Sequence, residues 1–405
     1  MLRSLPPDAR RLFAAQAVRL FAYSFLSVVL VLYLAAAGLS AGAIGVLLTL
    51  TLVGDTLVSL YLTTSADRFG RRRTLLVGAA LMVAAGAVFA LTKNFAVLLI
   101  AATIGVISPS GNEVGPFIAI DQAAMSQTVA EKARTRVFAW YRLAGALATA
   151  LGSLAGGGLS GVLQHRGATA FASYRAVVLG YAALGVVLAL LLARLSLAVE
   201  VAISPNSHRL GGFGLHRSRR VVFSLAGLFA LDAFGGGLIV QSLVAYWFHL
   251  RFGAEPAMLG GIFFGANLFA GASALVAARI ADRIGLINTM VFTHIPSNVL
   301  LILVPLMPTL PLAIAVLLLR FSISQMDVPA RQSYTMAVVE PDERSAAAGI
   351  TGVARTTGAA LAPAIAVPLF ASPALMGMPF ILAGGLKIVY DLLLWVRFRS
   401  VRPRG

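Results

Sequence analysis

The hexapeptides ADRFGR (residues 66–71) and ADRIGL (residues 281–286) decide the fold of this chain, because they are one loop written twice. Asp67, Arg68 and Gly70 correspond to Asp282, Arg283 and Gly285 at one fixed offset. Each copy follows a long apolar run. A second pairing sets QTVAEKARTR (127–136) against AVVEPDERSA (337–346). A chain that repeats itself at about half its length reads as two copies of one unit.

The runs around these loops are membrane-like. Hydrophobic residues make up 59% of the 405 and charged residues only 12%, about half the charged share of a soluble domain. Twelve apolar runs fall near 12–37, 42–63, 74–92, 96–125, 135–163, 174–195, 221–248, 257–278, 286–307, 310–338, 345–370 and 374–397. Each can cross about 30 Å of hydrocarbon as a helix. The fold expected is an all-α membrane protein of twelve transmembrane helices in two pseudo-symmetric six-helix bundles. The bundles span 1–196 and 221–405, and the hydrophilic stretch 197–220 is a cytoplasmic linker. Duplicated halves of this kind are a transporter architecture.

A net charge of +17 invites a nucleic-acid reading, but the positions of the basic residues argue against it. Alternate connections collect them: Arg10 and Arg11; Arg68, Arg71, Arg72 and Arg73; Lys132, Arg134 and Arg136; Arg217, Arg219 and Arg220; Arg397 and Arg399. The opposite connections hold only Lys93, Arg166, Arg175 and Arg251. This is the positive-inside pattern, with both termini cytoplasmic, and the excess charge faces anionic headgroups of the bilayer. The N-terminus has the outline of a signal peptide, but its apolar run is too long and contains Arg19, so it is expected to be retained.

Enzyme chemistry finds little support. There is no cysteine, hence no thiolate nucleophile or thiolate metal site. None of Lys93, Lys132 and Lys387 completes a phosphate-binding G-x-x-x-x-G-K-[ST] loop. The five histidines (165, 208, 216, 249 and 294) are expected in loops or at helix ends, without metal spacing. No catalytic residue, cofactor or metal is expected.

The charges inside the spans carry the functional reading. SPSGNEVGPFIAIDQ (108–122) places Glu113 and Asp121 in span 4, where ionised carboxylates are costly. On a continuous helix they would lie about 12 Å apart and about 80° around the axis. Both would line one aqueous wall, with Pro109, Gly111, Gly115 and Pro116 loosening the helix around Glu113. Span 7 adds Asp232 in FALDAFGGGLIVQ (229–241), with Gln241 and Tyr246 beyond it, and other spans add Asp55, Arg19 and Arg142. Arg320 and Asp327 are expected to share a face of span 10, joined by Arg331 and by Arg355 in span 11. Lys387 and Asp391 are expected to pair i to i+4. The bland alternative for all these groups is static ion pairing.

ADRFGRRRTL resembles the signature loop of the major facilitator superfamily, D-R-x-G-R-[RK], and the resemblance covers the whole chain. It implies a conformational latch: Asp67 facing the start of span 11, with Arg68, Gly70 and Arg71, and the second-copy Asp282 and Arg283, holding cytoplasmic ends together. It also implies a monomer and a ligand site near spans 1, 4, 7 and 10. The chain has Thr63 where the family has a glycine. YRLAGALATALGSLAGG (141–157) is glycine-rich like the family's antiporter motif but lacks its Gly-Pro pair. Span 4 carries Glu113 where proton-antiporting exporters carry an arginine. The function expected is proton-coupled efflux of a small organic compound by alternating access, in the inner (cytoplasmic) membrane. Uptake or exchange of a small anionic solute is the alternative. A channel and an intramembrane enzyme fit the duplicated loops less well.

Overall fold

A computed structural model describes residues 5–129, 131–200, 215–340 and 343–399, apart from the side chains of Asp67, residues 131–135, Ala278 and Ser345. The described chain is helical. Span 1 is α1 (Pro7–Ser27) and α2 (Leu30–Ala36), span 2 is α3 (Ala41–Phe69) and span 3 is α4 (Arg71–Leu91). Span 4 is α5 (Phe95–Ile104) and α6 (Phe117–Thr128), followed by α7 (Glu131–His165) and α8 (Ala170–Ala193) as spans 5 and 6. Span 7 is α9 (Arg219–Gly237) and α10 (Gln241–Phe252), followed by α11 (Pro256–Ile284) and α12 (Leu286–Leu303) as spans 8 and 9. Span 10 is α13 (Leu310–Phe321) and α14 (Asp327–Ala337), span 11 is α15 (Arg344–Leu361) and α16 (Pro363–Ala371), and span 12 is α17 (Met378–Phe398).

Among the described residues nine helical stretches are long and apolar enough to cross a membrane, and α1 with α2 forms a tenth, bent by 43°. The other two expected spans, 4 and 10, are interrupted, and their apolar halves α5 and α13 are shorter. All twelve apolar runs are thereby accounted for.

Helix starts follow ordinary capping chemistry. Ser40 Oγ accepts from the Ala43 N–H at 3.3 Å, Asn94 Oδ1 from Val97 at 3.2 Å, and Thr169 Oγ1 from Ala172 at 3.2 Å. The duplicated loop is also duplicated in conformation. Gly70 and Gly285 take φ of +94° and +83°, a region that only glycine enters cheaply, and each sits between two helices. Thr74 and Thr289 then bond back to the Gly70 and Gly285 carbonyls with both N–H and Oγ1, at 2.8–3.0 Å. These threonines keep the offset of the sequence repeat, so the repeat runs further than the hexapeptide.

The glycine-rich segment of span 5 has a packing reason. A Cβ on Gly152 or Gly156 would lie 2.2 or 2.1 Å from the carbonyl oxygen of Phe21 or Phe25, so α7 lies backbone-to-backbone on α1. In the second half Gly358 of α15 does the same on α9, where a Cβ would meet Ala230 O at 2.3 Å. Span 5 thus packs on span 1 as span 11 packs on span 7.

The chain divides into two compact units. One comprises Met1–Pro205 with Gln241–Phe264, the other Asn206–Val240 with Gly265–Gly405. The core of the second unit gathers Phe229, Tyr334, Tyr390 and Phe398. Residues 201–214 of the expected linker lie outside the described residues, as do Ala130, Pro341 and Asp342 of the 127–136/337–346 pairing.

Three local expectations are corrected. Glu113 is not on a helix with Asp121, because residues 105–116 are irregular: Gly111 and Gly115 take φ of +72° and +80° beside Pro109 and Pro116. Arg320 and Asp327 do not share a continuous helix, since α13 ends at Phe321 and α14 starts at Asp327. Nor is His294 in a loop; it is buried within α12.

Candidate functional site

The irregular stretch of span 4 is held by partners for its freed backbone groups, as an apolar setting requires. Asp55 Oδ1, on α3, accepts from the Gly115 N–H at 2.7 Å. Tyr23 donates to Val114 O at 3.2 Å, and Tyr181 donates to Val106 O. The Ser242 N–H donates to Pro109 O at 3.1 Å, and Ser108 Oγ donates to Asn112 O at 2.7 Å. Asp55 is therefore placed on the backbone of the break.

This break turns Glu113 toward span 1. Arg19 Nε donates to Glu113 Oε1 at 2.6 Å, and Nη2 donates to Glu113 Oε2 at 3.2 Å and to Asp121 Oδ2 at 2.9 Å. Tyr141 of α7 donates to the same Asp121 oxygen at 2.8 Å, and the Arg19 guanidinium lies 4.4 Å from the centre of the Phe117 ring. Arg19 and Asp121 are wholly buried. Asp121 Oδ1 and Arg19 Nη1 have no hydrogen-bond partner among the described residues. Two carboxylates thus share one guanidinium.

The first unit also holds an uncharged cluster. Gln241 Nε2 donates to Ser27 Oγ at 2.7 Å and lies 3.2 and 3.3 Å from Ser24 Oγ and Ser153 Oγ. The two serine hydroxyls Ser24 and Ser153 are 2.5 Å apart. Tyr246 is half-buried on α10, and Arg142 is exposed on α7.

The second unit has its own charged cluster. Asp232 Oδ1 accepts from Lys387 Nζ at 2.6 Å and Oδ2 from Arg331 Nη1 at 3.1 Å, while Arg331 Nη1 also reaches Asp327 Oδ2 at 3.0 Å. His294 Nδ1 lies 2.9 Å from Asp391 Oδ1, and its Nε2 lies 3.9 Å from Asp232 Oδ1. Asn298 Nδ2 donates to Asp391 Oδ2 at 3.1 Å. Lys387 and Asp391 do not pair with each other as the i, i+4 spacing suggested. Each finds a stronger partner on a neighbouring helix, Lys387 on α9 and Asp391 on α12. The polarity is reversed between the units: span 1 gives the cation and span 4 the acids, whereas span 7 gives the acid and span 10 the cation.

At the loop, the side chain of Asp67 lies outside the described residues, and Arg68, Asp282 and Arg283 are exposed. Arg71 is buried and engages the end of span 6. Glu200 Oε2 accepts from the Arg71 N–H at 2.6 Å and Oε1 from the Arg72 N–H at 3.1 Å, a carboxylate on the positive end of α4. Arg71 Nη1 donates to Val199 O at 3.4 Å. Sequence reading missed Glu200, Tyr141 and His294; the only available signals were a lone carboxylate past span 6 and polar groups inside apolar runs.

Comparison with known proteins agrees with this fold. A profile described as Major Facilitator Superfamily matches residues 12–363. An uncharacterized membrane protein of Saccharomyces cerevisiae is 30% identical over 424 residues, covering 97% of this chain and 94% of its own. A mutant form of the nucleoside transporter NupG superposes with a TM-score of 0.78 at 14% identity, over 96% of this chain and 99% of its own. The D-xylose-proton symporter does so with a TM-score of 0.71 at 14% identity, over 96% and 97%. At such identities the structural likeness concerns the fold.

Proposed function

Because this chain belongs to the major facilitator superfamily, and is therefore a multi-pass membrane transporter rather than an enzyme, we propose that it exports a small organic compound in exchange for protons. It works by alternating access, as a monomer in the inner (cytoplasmic) membrane, with both termini in the cytoplasm. The Asp67–Arg71 loop acts as its conformational latch, with Asp282 and Arg283 as the second copy. The observation that carries proton coupling is the sharing of Arg19 by Glu113 and Asp121. With both acids ionised, the buried trio holds one uncompensated negative charge, which a low-dielectric site disfavours. Proton binding and release would then exchange two charge states of one trio as access alternates.

The test uses proteoliposomes loaded with a pH-sensitive dye and a panel of small acids, bases and neutral solutes. In wild type, one class should show saturable flux that moves protons. Glu113→Gln and Asp121→Asn should lose gradient-driven accumulation while keeping solute counterflow. Intact proton-driven accumulation in both variants would end the proton-carrier reading. Uptake or exchange of a small anion is the second reading, favoured by Arg320 and Arg355 of the second unit, which make no ion pair among the described residues.

A further inference from the structure

The charged cluster of the second unit does not balance. Among the described residues its carboxylates are Asp232, Asp327 and Asp391; its permanent cations are Arg331, Lys387, Arg320 and Arg355, with His294 between two of the acids. Even with every carboxylate ionised and His294 neutral, one positive charge is left over. The pairing shows which groups carry it. Lys387 and Arg331 are bonded to Asp232, and Arg331 also to Asp327. Arg320 and Arg355 make no hydrogen bond or ion pair among the described residues.

Arg320 is 8% exposed; among the described residues its Nε is buried without an acceptor, and its guanidinium lies 5.0 Å from the centre of the ring of its neighbour Phe321. Ser324, in the turn that breaks span 10, is likewise buried with an unsatisfied hydroxyl. Arg355, on α15, is half-buried. Both arginines are within Coulombic reach of Asp232 and Asp327, so they belong to one electrostatic neighbourhood. A guanidinium that is desolvated and left unpaired is strongly disfavoured. Removing the charge by deprotonation is closed to arginine. What relieves the cost is an oxyanion, whose two oxygens match the fork of the side chain.

We propose that Arg320 and Arg355 receive the carboxylate or phosphate of the transported solute, so that this transporter carries organic anions. Arg320 and Ser324 supply the buried donors at the break of span 10, and Arg355 supplies the second positive charge from span 11. Arg331 and Lys387, already neutralised by Asp232 and Asp327 jointly, hold the neighbourhood together. The inference rests on the transporter reading above, but its test is a binding measurement and does not depend on flux.

The experiment follows thermal unfolding of the purified full chain in detergent, at constant ionic strength. The probes are succinate, inorganic phosphate and glycerol 3-phosphate, with succinamide and glycerol as uncharged counterparts. At least one anion should raise the wild-type Tm by about 2 °C or more, while the uncharged compounds do nothing. Arg320→Gln and Arg355→Gln should each lose that shift. Without added solute, Arg320→Gln should melt no lower than wild type, since it removes a charge that has no partner. A wild-type Tm indifferent to all three anions overturns the proposal. So does an anion shift that survives in both variants, or an Arg320→Gln protein that melts several degrees lower. If these results fail while saturable counterflow persists, the anion site falls and the transporter reading stands.

Discussion

Arg19 answers to two acids, and this asymmetry sets what each substitution should cost. Removing Arg19 leaves Glu113 and Asp121 facing each other with no cation, in a place with no exposure at Arg19 or Asp121. Removing one acid leaves a one-to-one pair. Breaking a buried pair by deleting its sole countercharge costs about 3–5 kcal/mol. Arg19→Gln is therefore expected to destabilise by about that much, and Asp121→Asn by less than about 1.5 kcal/mol, the size of one ordinary hydrogen bond. Denaturant or thermal unfolding of the two variants in detergent checks the order. Equal losses would mean that Asp121, not the shared guanidinium, holds the trio together.

At the scale of elements, the broken span 4 is the feature that gives Arg19 its second partner. Gly111 is in the left-handed region, and a Cβ there would lie 2.8 Å from Ser27 Oγ and 3.1 Å from Gln241 Nε2. Gly111→Ala should cost about 1–2 kcal/mol from backbone strain alone. It should also loosen the Gln241–serine cluster, so the loss measured by unfolding should exceed that of Gly158→Ala, where a Cβ meets nothing within 4 Å. The spans themselves were legible in the sequence, since hydrocarbon thickness converts directly into run length. The Pro109–Pro116 punctuation also announced a weak helix. How far span 4 unravels was not legible. That depends on Tyr23, Asp55, Tyr181 and Ser242 satisfying its backbone from other spans, and linear spacing does not reveal such convergence. The same reason hid the pairing of Asp391 with His294 and of Arg71 with the end of span 6. A local i, i+4 rule pointed Lys387 at Asp391, and longer-range geometry overruled it.

At the scale of the whole molecule, sequence order and compact units part company. The duplicated loops place the two copies on either side of residues 197–220, yet Gln241–Phe264 packs with the first unit. Gln241 bonds Ser27 there, Ser242 bonds Pro109, and Gly157 lies so close to α11 that a Cβ would meet Pro256 O at 2.2 Å. A piece made of residues 1–205 would lack all of these partners. Its Pro109 carbonyl would lose the Ser242 donor in an apolar setting, at a cost of about 1–3 kcal/mol, and Ser24, Ser27 and Ser153 would keep only the bonds they make within the piece. Expressed alone, this piece should be poorly stable and readily degraded. Expressed with residues 206–405, it should recover, because the second piece carries the missing segment. Adding residues 241–264 alone should rescue part of that loss, and Gln241→Ala in the second piece should weaken the rescue. Protease resistance of the first piece in membranes, with and without the second, gives the measurement. A first piece as resistant alone as in company would mean that the segment is a visitor to that unit and not part of its core.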